Sequence, residues 1–346
     1  VETFWFCGLV GLLTVYVVLD GFDLGAGIVS LLAARSDEDR RAIARSIGPF
    51  WDGNEVWLVA AGGTLFVAFP TLYASALSGF YLPLMIVLWL FILRAVGLEF
   101  GHRLADPMWQ QFWEKVFAGS SLLLVFFLGV ALGNVVRGVS FDADGGFFEP
   151  LWTSFLPREN TGVLDGYTVL TGISAVAALT LQGGLWVAWR TTGDLAERAG
   201  QIAQAALWVV GALTLLLTAV TMLLQPLVPD HLLAAPVGFV FPVTAVAGLL
   251  LVALARAARK PGHAFVGSSI YLIGMMASAA FGLYPYVLPP LGNNAQGLTV
   301  ANAAAPDAAL RLAMWWWIPG MLLATSYTVF VYWKLWRSGS GDEDGY

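Results

Sequence analysis

LDGFDLGAG, residues 19–27, sets two aspartates in the middle of an otherwise apolar run. An ionised carboxylate at the centre of a bilayer costs about 2.5–3.5 kcal/mol on insertion scales, so Asp20 and Asp23 need a reason if this run crosses a membrane. The rest of the chain says that it does. Of 346 residues, 58% are hydrophobic and 12% charged, with a mean hydropathy of +0.75; soluble domains carry about 25% charged residues. The formal net charge of −6 comes mostly from acids in short loops and in the tail DEDGY, and nothing in it points to nucleic acid. The single cysteine, Cys7, has no partner for an internal disulfide, and no CxxC or Cys/His ligand spacing occurs. The apolar run from Phe4 is too long for a cleaved signal peptide, and a chain that starts at Val1 is expected to have lost a short leading piece.

A bilayer core of about 30 Å takes roughly 20 apolar residues of helix. Nine segments qualify: 4–34, 55–70, 75–99, 112–137, 164–190, 204–225, 237–258, 265–288 and 310–335. The fold class expected is all-α, a polytopic membrane protein of nine helices arranged as two four-helix bundles plus one. Lys and Arg accumulate in cytoplasmic loops. Arg35, Arg40, Arg41 and Arg45 follow the first span; Arg103 and Lys115, Arg190 and Arg198, Arg256, Arg259 and Lys260, and Lys334 and Arg337 fall on the same side. The other side has Arg137, Arg158 and Arg311, which puts the N-terminus outside and the C-terminus in the cytoplasm. The chain then divides into a first half (1–138), an external loop (139–163) containing Asp142, Asp144, Gly145, Gly146 and Glu149, and a second half (164–346). DEDRRAIARSI, Asp37–Ile47, has acids first and bases later, as suits a short interfacial helix. LDGF at 19–22 and LDGY at 164–167 hint at a repeat, and chance explains four residues equally well.

Embedded charge is confined to one half. Asp20, Asp23, Glu55, Arg94 and Glu99 lie in the first three spans, with Asp52 at the mouth of the second, while the last five spans have no ionisable residue between their ends. Asp20 and Asp23, three apart, share a helix face that should look into protein. Asp23 lies roughly 16 Å from Ala34, and Arg94 roughly 14 Å from Arg103, at 1.5 Å per residue. At such similar depths Arg94 can pair with one aspartate and hold it ionised, leaving the other to exchange a proton. A static ion cluster that locks helix packing is the plainer alternative. Gly21, Gly25 and Gly27 read as small residues that let helices approach.

PFWDGNEVWL, residues 49–58, adds a second acidic step. Asp52 and Glu55 lie one turn apart on one face and lead inward from water, and Asn54 can relay a hydrogen bond between them. The same residues also fit a capping box that starts the second span. His102, His231 and His263 all sit at span ends or in loops, so no paired-histidine or His/Met haem site is expected, and no dinucleotide, phosphate or metal motif appears. Met275–Met276 and Trp315–Trp317 read as core and interfacial belt. Tyr284–Pro285–Tyr286 and Asn293–Asn294 read first as a helix stop, with a lipid or quinone contact as the alternative.

DGFDLGAG, PFWDGNEVWL, FPTLYASALSGFYLPL and LRAVGLEF, in this order, with LYPYVLP and SYTVFVYWKLW further on, resemble subunit II of cytochrome bd-type quinol oxidases across nearly the whole chain. The match is looser over 139–264. The resemblance implies a heterodimer with a subunit I that carries b- and d-type haems, oxidises quinol at the outer face and reduces oxygen to water. This chain would be the haem-free subunit of the inner membrane, helping to bring cytoplasmic protons to the oxygen site. It also implies a proton pathway through Asp52, Asp20 and Asp23, with Glu55 a less regular position and Asn54, Trp57, Arg94 and Glu99 in support. A structural quinone is known in some members of the family, a small single-span accessory subunit is compatible with the sequence, and ubiquinol and menaquinol fit equally well. A stand-alone proton-coupled transporter is the competing class. The uncharged second half argues against it, since such carriers tend to repeat their binding elements in both halves.

Overall fold

With no water in a bilayer core, every backbone N–H and C=O there must find its partner inside the protein, and for a long apolar run the local solution is a helix. The computed structural model describes residues 1–101, 103–104, 106–142, 146–156, 161–291 and 297–337, with side chains through Lys334. His102, Asp144, Gly145, Arg158, Asn293, Asn294 and the DEDGY tail lie outside the described residues. The helices are α1 (Glu2–Ala33), α2 (Asp37–Ile47), α3 (Trp51–Ala68), α4 (Pro70–Gly79), α5 (Tyr81–Phe100), α6 (Pro107–Arg137), α7 (Gly166–Arg190), α8 (Gly193–Leu224), α9 (Leu227–Ala234), α10 (Val240–Ala257), α11 (Pro261–Leu283) and α12 (Asp307–Arg337). Strands β1 (Tyr286–Leu288) and β2 (Leu298–Thr299) form a small antiparallel pair between α11 and α12.

Among the described residues, seven helices are long and apolar enough to cross a membrane: α1, α5, α6, α7, α8, α11, and α10 with the turn before it. The pair α3 and α4, bent by 117°, makes an eighth if taken as one broken span. α12 has 31 residues and contains Pro319.

The structure moves several of the expected boundaries, with α8 for instance starting at Gly193 rather than 204, and two of the shifts have a definable cause. The third span does not begin at Ser75: α4 ends at Gly79 and α5 starts at Tyr81. The cause is tertiary. The Gly79 carbonyl accepts the Glu149 N–H at 3.0 Å, and the ring of Phe147 fills the place of a Gly79 side chain, so the loop after α6 seats itself on this break. The eighth span stops at Leu283 rather than 288, because residues 286–288 pair as β1 with β2. LDGF and LDGY also take different structural roles. Asp20 lies within α1, whereas Asp165 caps α7, accepting from the N–H groups of Tyr167 (2.7 Å) and Thr168 (2.9 Å).

α2 forms over Asp37–Ile47 as its charge order predicts. Ser36 Oγ accepts the Asp39 N–H at 3.1 Å, and the Asp39 carboxylate accepts in return from Ser36 at 3.3 Å, a reciprocal cap. Arg198, at the start of α8, fastens this helix through Asp39 (2.7 Å) and the Ala33 carbonyl (2.8 Å). These contacts bring the basic segment after α1 against the start of α8.

At its centre α1 crosses α7. A β-carbon on Gly25 or Gly183 would run into the other helix's backbone, and one on Gly27 would lie 2.5 Å from Ser121 Oγ of α6. Close approach of this kind is what packs helices where lipid removes any hydrophobic drive between them. One buried cluster joins Leu24, Leu90, Leu124, Leu181, Leu207 and Tyr271, so the two halves of the sequence share a core.

Candidate functional site

α1 carries Asp20 and Asp23 to the middle of this packing, where both are completely buried. Arg94 of α5, also completely buried, donates from Nη2 to Asp20 Oδ1 at 2.7 Å and from Nη1 to Glu55 Oε1 of α3. Asp23 has a different partner: Asn54 Nδ2 of α3 donates to its Oδ2 at 2.7 Å and to the Leu19 carbonyl at 3.3 Å. α1, α3 and α5 are therefore tied together by one guanidinium and one amide.

The two oxygens left over are informative. Among the described residues Asp20 Oδ2 and Asp23 Oδ1 are buried without a hydrogen-bond partner. One guanidinium stands against three carboxyl groups, and a carboxyl oxygen with no donor on it is a place where a proton can sit. An uncompensated buried charge is costly, so full ionisation of all three is the least favourable arrangement.

Asp52 lies on the surface in the first turn of α3, one turn below Glu55, whose side chain keeps 23% exposure. The capping box considered for this pair does not form: the N-cap is Phe50, without a side-chain cap, and Glu55 turns to Arg94. Trp57 is buried in a core cluster with Trp5, Tyr16 and Phe69. Glu99 does not join the site. It is exposed at the end of α5, paired with Arg103 one turn on, because five residues from Arg94 put it on another face of the helix.

The sequence reading passed over two tyrosines. Tyr16, one turn before Asp20, is 3% exposed, and Tyr332 of α12 donates its hydroxyl to Asn54 Oδ1 at 2.8 Å. It also missed a second ion cluster, at the opposite end from the basic loops. Arg137, counted as a loop cation, is buried and pairs with Asp165. It donates to Asn134 Oδ1 at 2.8 Å and lies 3.8 Å from Glu149 Oε1. Burial pushes the Glu149 carboxyl up to about 6, against the opposing pull of Arg137.

The described residues place no three His, Cys, Asp or Glu side chains together as metal ligands. His231 Nδ1 lies 2.8 Å from the Gly282 carbonyl, at the end of the molecule opposite to His263, which opens α11. These two do not make an axial pair for a haem.

A bundle of apolar crossing helices that seals a guanidinium between carboxylates defines a polytopic membrane protein built around an internal ion cluster. Comparison with known proteins narrows that class. The family described as cytochrome bd terminal oxidase subunit II matches residues 1–335. Subunit 2 of cytochrome bd-I ubiquinol oxidase from Escherichia coli K12 is 30% identical over 370 residues, covering 94% of this chain and 92% of that protein. Subunit 2 of cytochrome bd ubiquinol oxidase from Bacillus subtilis 168 is 30% identical over 308 residues, covering 89% and 88%. A chain of the bd oxidase from Geobacillus thermodenitrificans superposes with a TM-score of 0.76 over 98% of this chain and 99% of that one, at 18% identity, and so shares the fold. The chain belongs to the cytochrome bd terminal oxidase subunit II family. It is thus a multi-pass protein of the bacterial inner membrane and a component of a quinol-oxidising oxidoreductase complex, with a subunit I as partner; in this family the haems are generally carried by subunit I.

Proposed function

We propose that this chain is the haem-free subunit that leads cytoplasmic protons toward the oxygen-reducing site of subunit I, along Asp52, Glu55, Asp23 and Asp20. In this reading nine spans cross the membrane, counting α3 with α4 and α12, with the basic loops in the cytoplasm and the N-terminus outside. The haems of subunit I supply the electron transfer from quinol to oxygen. What this chain adds is the side on which the consumed protons are collected. Protons taken from the cytoplasm while quinol releases its own outside contribute to the proton motive force.

The observation that carries the reading is the inward series of carboxyl groups. Asp52 is in contact with solvent, Glu55 is partly covered and holds Arg94, and Asp20 and Asp23 are sealed, each with one oxygen free of donors. Arg94 fixes Asp20 and Glu55 on either side of itself, so a proton moving inward meets positions held by a charge that does not itself leave. The outward face of α3 suits a protein cover. Val56, Val59 and Phe66 are exposed there, and Gly53, Gly62 and Gly63 have open space where a side chain would be. A partly exposed Glu55 at membrane depth is tolerated only against protein or a polar cavity. Subunit I is the occupant proposed. A structural quinone and a small accessory subunit are further proposals for the assembled complex.

The test is oxygen consumption driven by a soluble quinol, with proton uptake followed inside proteoliposomes, in the complex carrying wild-type chain or Asp23→Asn. Slow turnover with full haem content supports the proton role; wild-type turnover and uptake reject it.

A further inference from the structure

α12 supplies a side chain to the acidic site from the far end of the chain. The Tyr332 hydroxyl donates to Asn54 Oδ1 at 2.8 Å, and the same amide donates from Nδ2 to Asp23 Oδ2 at 2.7 Å. Asn54 is 1% exposed and Asp23 is fully buried, so solvent does not compete for either bond. The Tyr332 ring rests against Phe50, with centroids 4.8 Å apart, which holds the hydroxyl over α3.

A carboxamide presents an acceptor on one side and two donors on the other, in nearly the same shape, so its neighbours decide which way it faces. On the Asp23 side it meets a carboxylate oxygen and the Leu19 carbonyl, both acceptors. Turned over, the Asn54 oxygen would face two acceptors, an arrangement that only a protonated Asp23 could satisfy. With Nδ2 directed at Asp23, the Tyr332 O–H donates to the amide oxygen on the opposite side and steadies the side chain in that orientation. From this geometry we infer that Tyr332 is a positioning residue of the proton site: through Asn54 it keeps an N–H donor aimed at Asp23 and so sets how readily Asp23 gives up and takes a proton. The inference rests on the proton-route reading above and adds to it a role for the last helix.

The experiment compares the purified complex bearing wild-type chain, Tyr332→Phe, Trp317→Phe or Asp23→Asn. Trp317 provides a second tie between α12 and α3, through Nε1 to Thr64 Oγ1 at 2.9 Å, and lies away from the acids. Each complex is assayed for haem content, for kcat and KM with a soluble quinol, and for the infrared carboxyl band that Asp23→Asn abolishes. Tyr332→Phe is expected to lower kcat about fivefold, the worth of one ordinary hydrogen bond, to leave KM and haem content unchanged, and to move the Asp23 band. Trp317→Phe is expected to leave the band in place. An unmoved band and wild-type kcat in Tyr332→Phe, beside a slow Asp23→Asn, would overturn the role of Tyr332 alone. The same band movement in Trp317→Phe would reduce it to general packing. Wild-type turnover in Asp23→Asn would remove the proton route itself, and this inference with it.

Discussion

Gly25 of α1 and Gly183 of α7 meet backbone to backbone, with no room for a β-carbon on either. This contact fixes the depth and rotation of α1, and with them the direction in which Asp20 and Asp23 point. Gly183→Ala is expected to destabilise the assembled protein by about 1–3 kcal/mol, the range for overpacking a filled core. Thermal unfolding of the purified complex reads it. Gly11→Ala, where a β-carbon meets nothing within 4 Å, should not lower the melting temperature.

Arg94 holds Asp20 at 2.7 Å with one arm of its guanidinium and Glu55 with the other. Arg94→Leu leaves Asp20 buried, and Glu55 partly covered, without their cation, a change that costs about 3–5 kcal/mol in comparable buried sites. The complex should be recovered in much lower yield. Arg94→Lys keeps the charge but offers a point rather than a fork, so it is expected to fall between the two. Equal yields from all three proteins would mean that the cluster does not hold the helices.

The acids should differ sharply in their effect on turnover. Asp20→Asn and Asp23→Asn are expected to slow oxygen consumption roughly a hundredfold, the low end for losing a positioned proton-transfer group. Glu99→Gln should change it less than about twofold, since an exposed i,i+4 pair has little energetic weight. A Glu99 effect as large as that of Asp23 would place the route elsewhere.

Acid should act oppositely on the two ends of the molecule. Glu149 is raised by burial from 4.5 to about 6, so in the folded protein it binds a proton that the unfolded chain does not. Its burial is a cost above pH 6 that is relieved as pH falls toward 4.5. Protection of residues 146–156 against protease should therefore rise over that window, and Glu149→Gln should remove the dependence. Asp39 is lowered from 3.8: its partial burial is outweighed by the backbone N–H groups of Arg35 and Ser36 and by the Arg198 guanidinium. Its contribution is full above pH 3.8 and disappears as pH falls below that value. Hydrogen exchange in α2 should accelerate there, and in Asp39→Asn at any pH.

Much of this was legible before any coordinates, for definable reasons. Apolar run length reports helices because lipid leaves the backbone no alternative, and the charge order of Asp37–Ile47 placed α2 residue for residue. The pairing of Arg94 with an aspartate followed from equal depth along two helices. The break between α4 and α5 had only Ser78, Gly79 and Pro83 to mark it in a run that otherwise stays apolar; it is imposed by Phe147 and Glu149, which arrive from another part of the chain. The same holds for the buried state of Arg137, whose partners Asp165 and Glu149 become neighbours only once α6 and α7 are packed. Glu99 misled because hydropathy counts residues along a helix without regard to face.

The bond from Tyr332 to Asn54 spans 278 positions of sequence. A ribosome delivers Asp20, Asp23, Asn54 and Arg94 early, yet the amide over Asp23 acquires its anchor only when α12 has been made. Chains truncated before residue 332 would carry every acid of the site and still lack its last fastening. The acids of the site are thus laid down in the chain well before the residue that fastens the amide beside them.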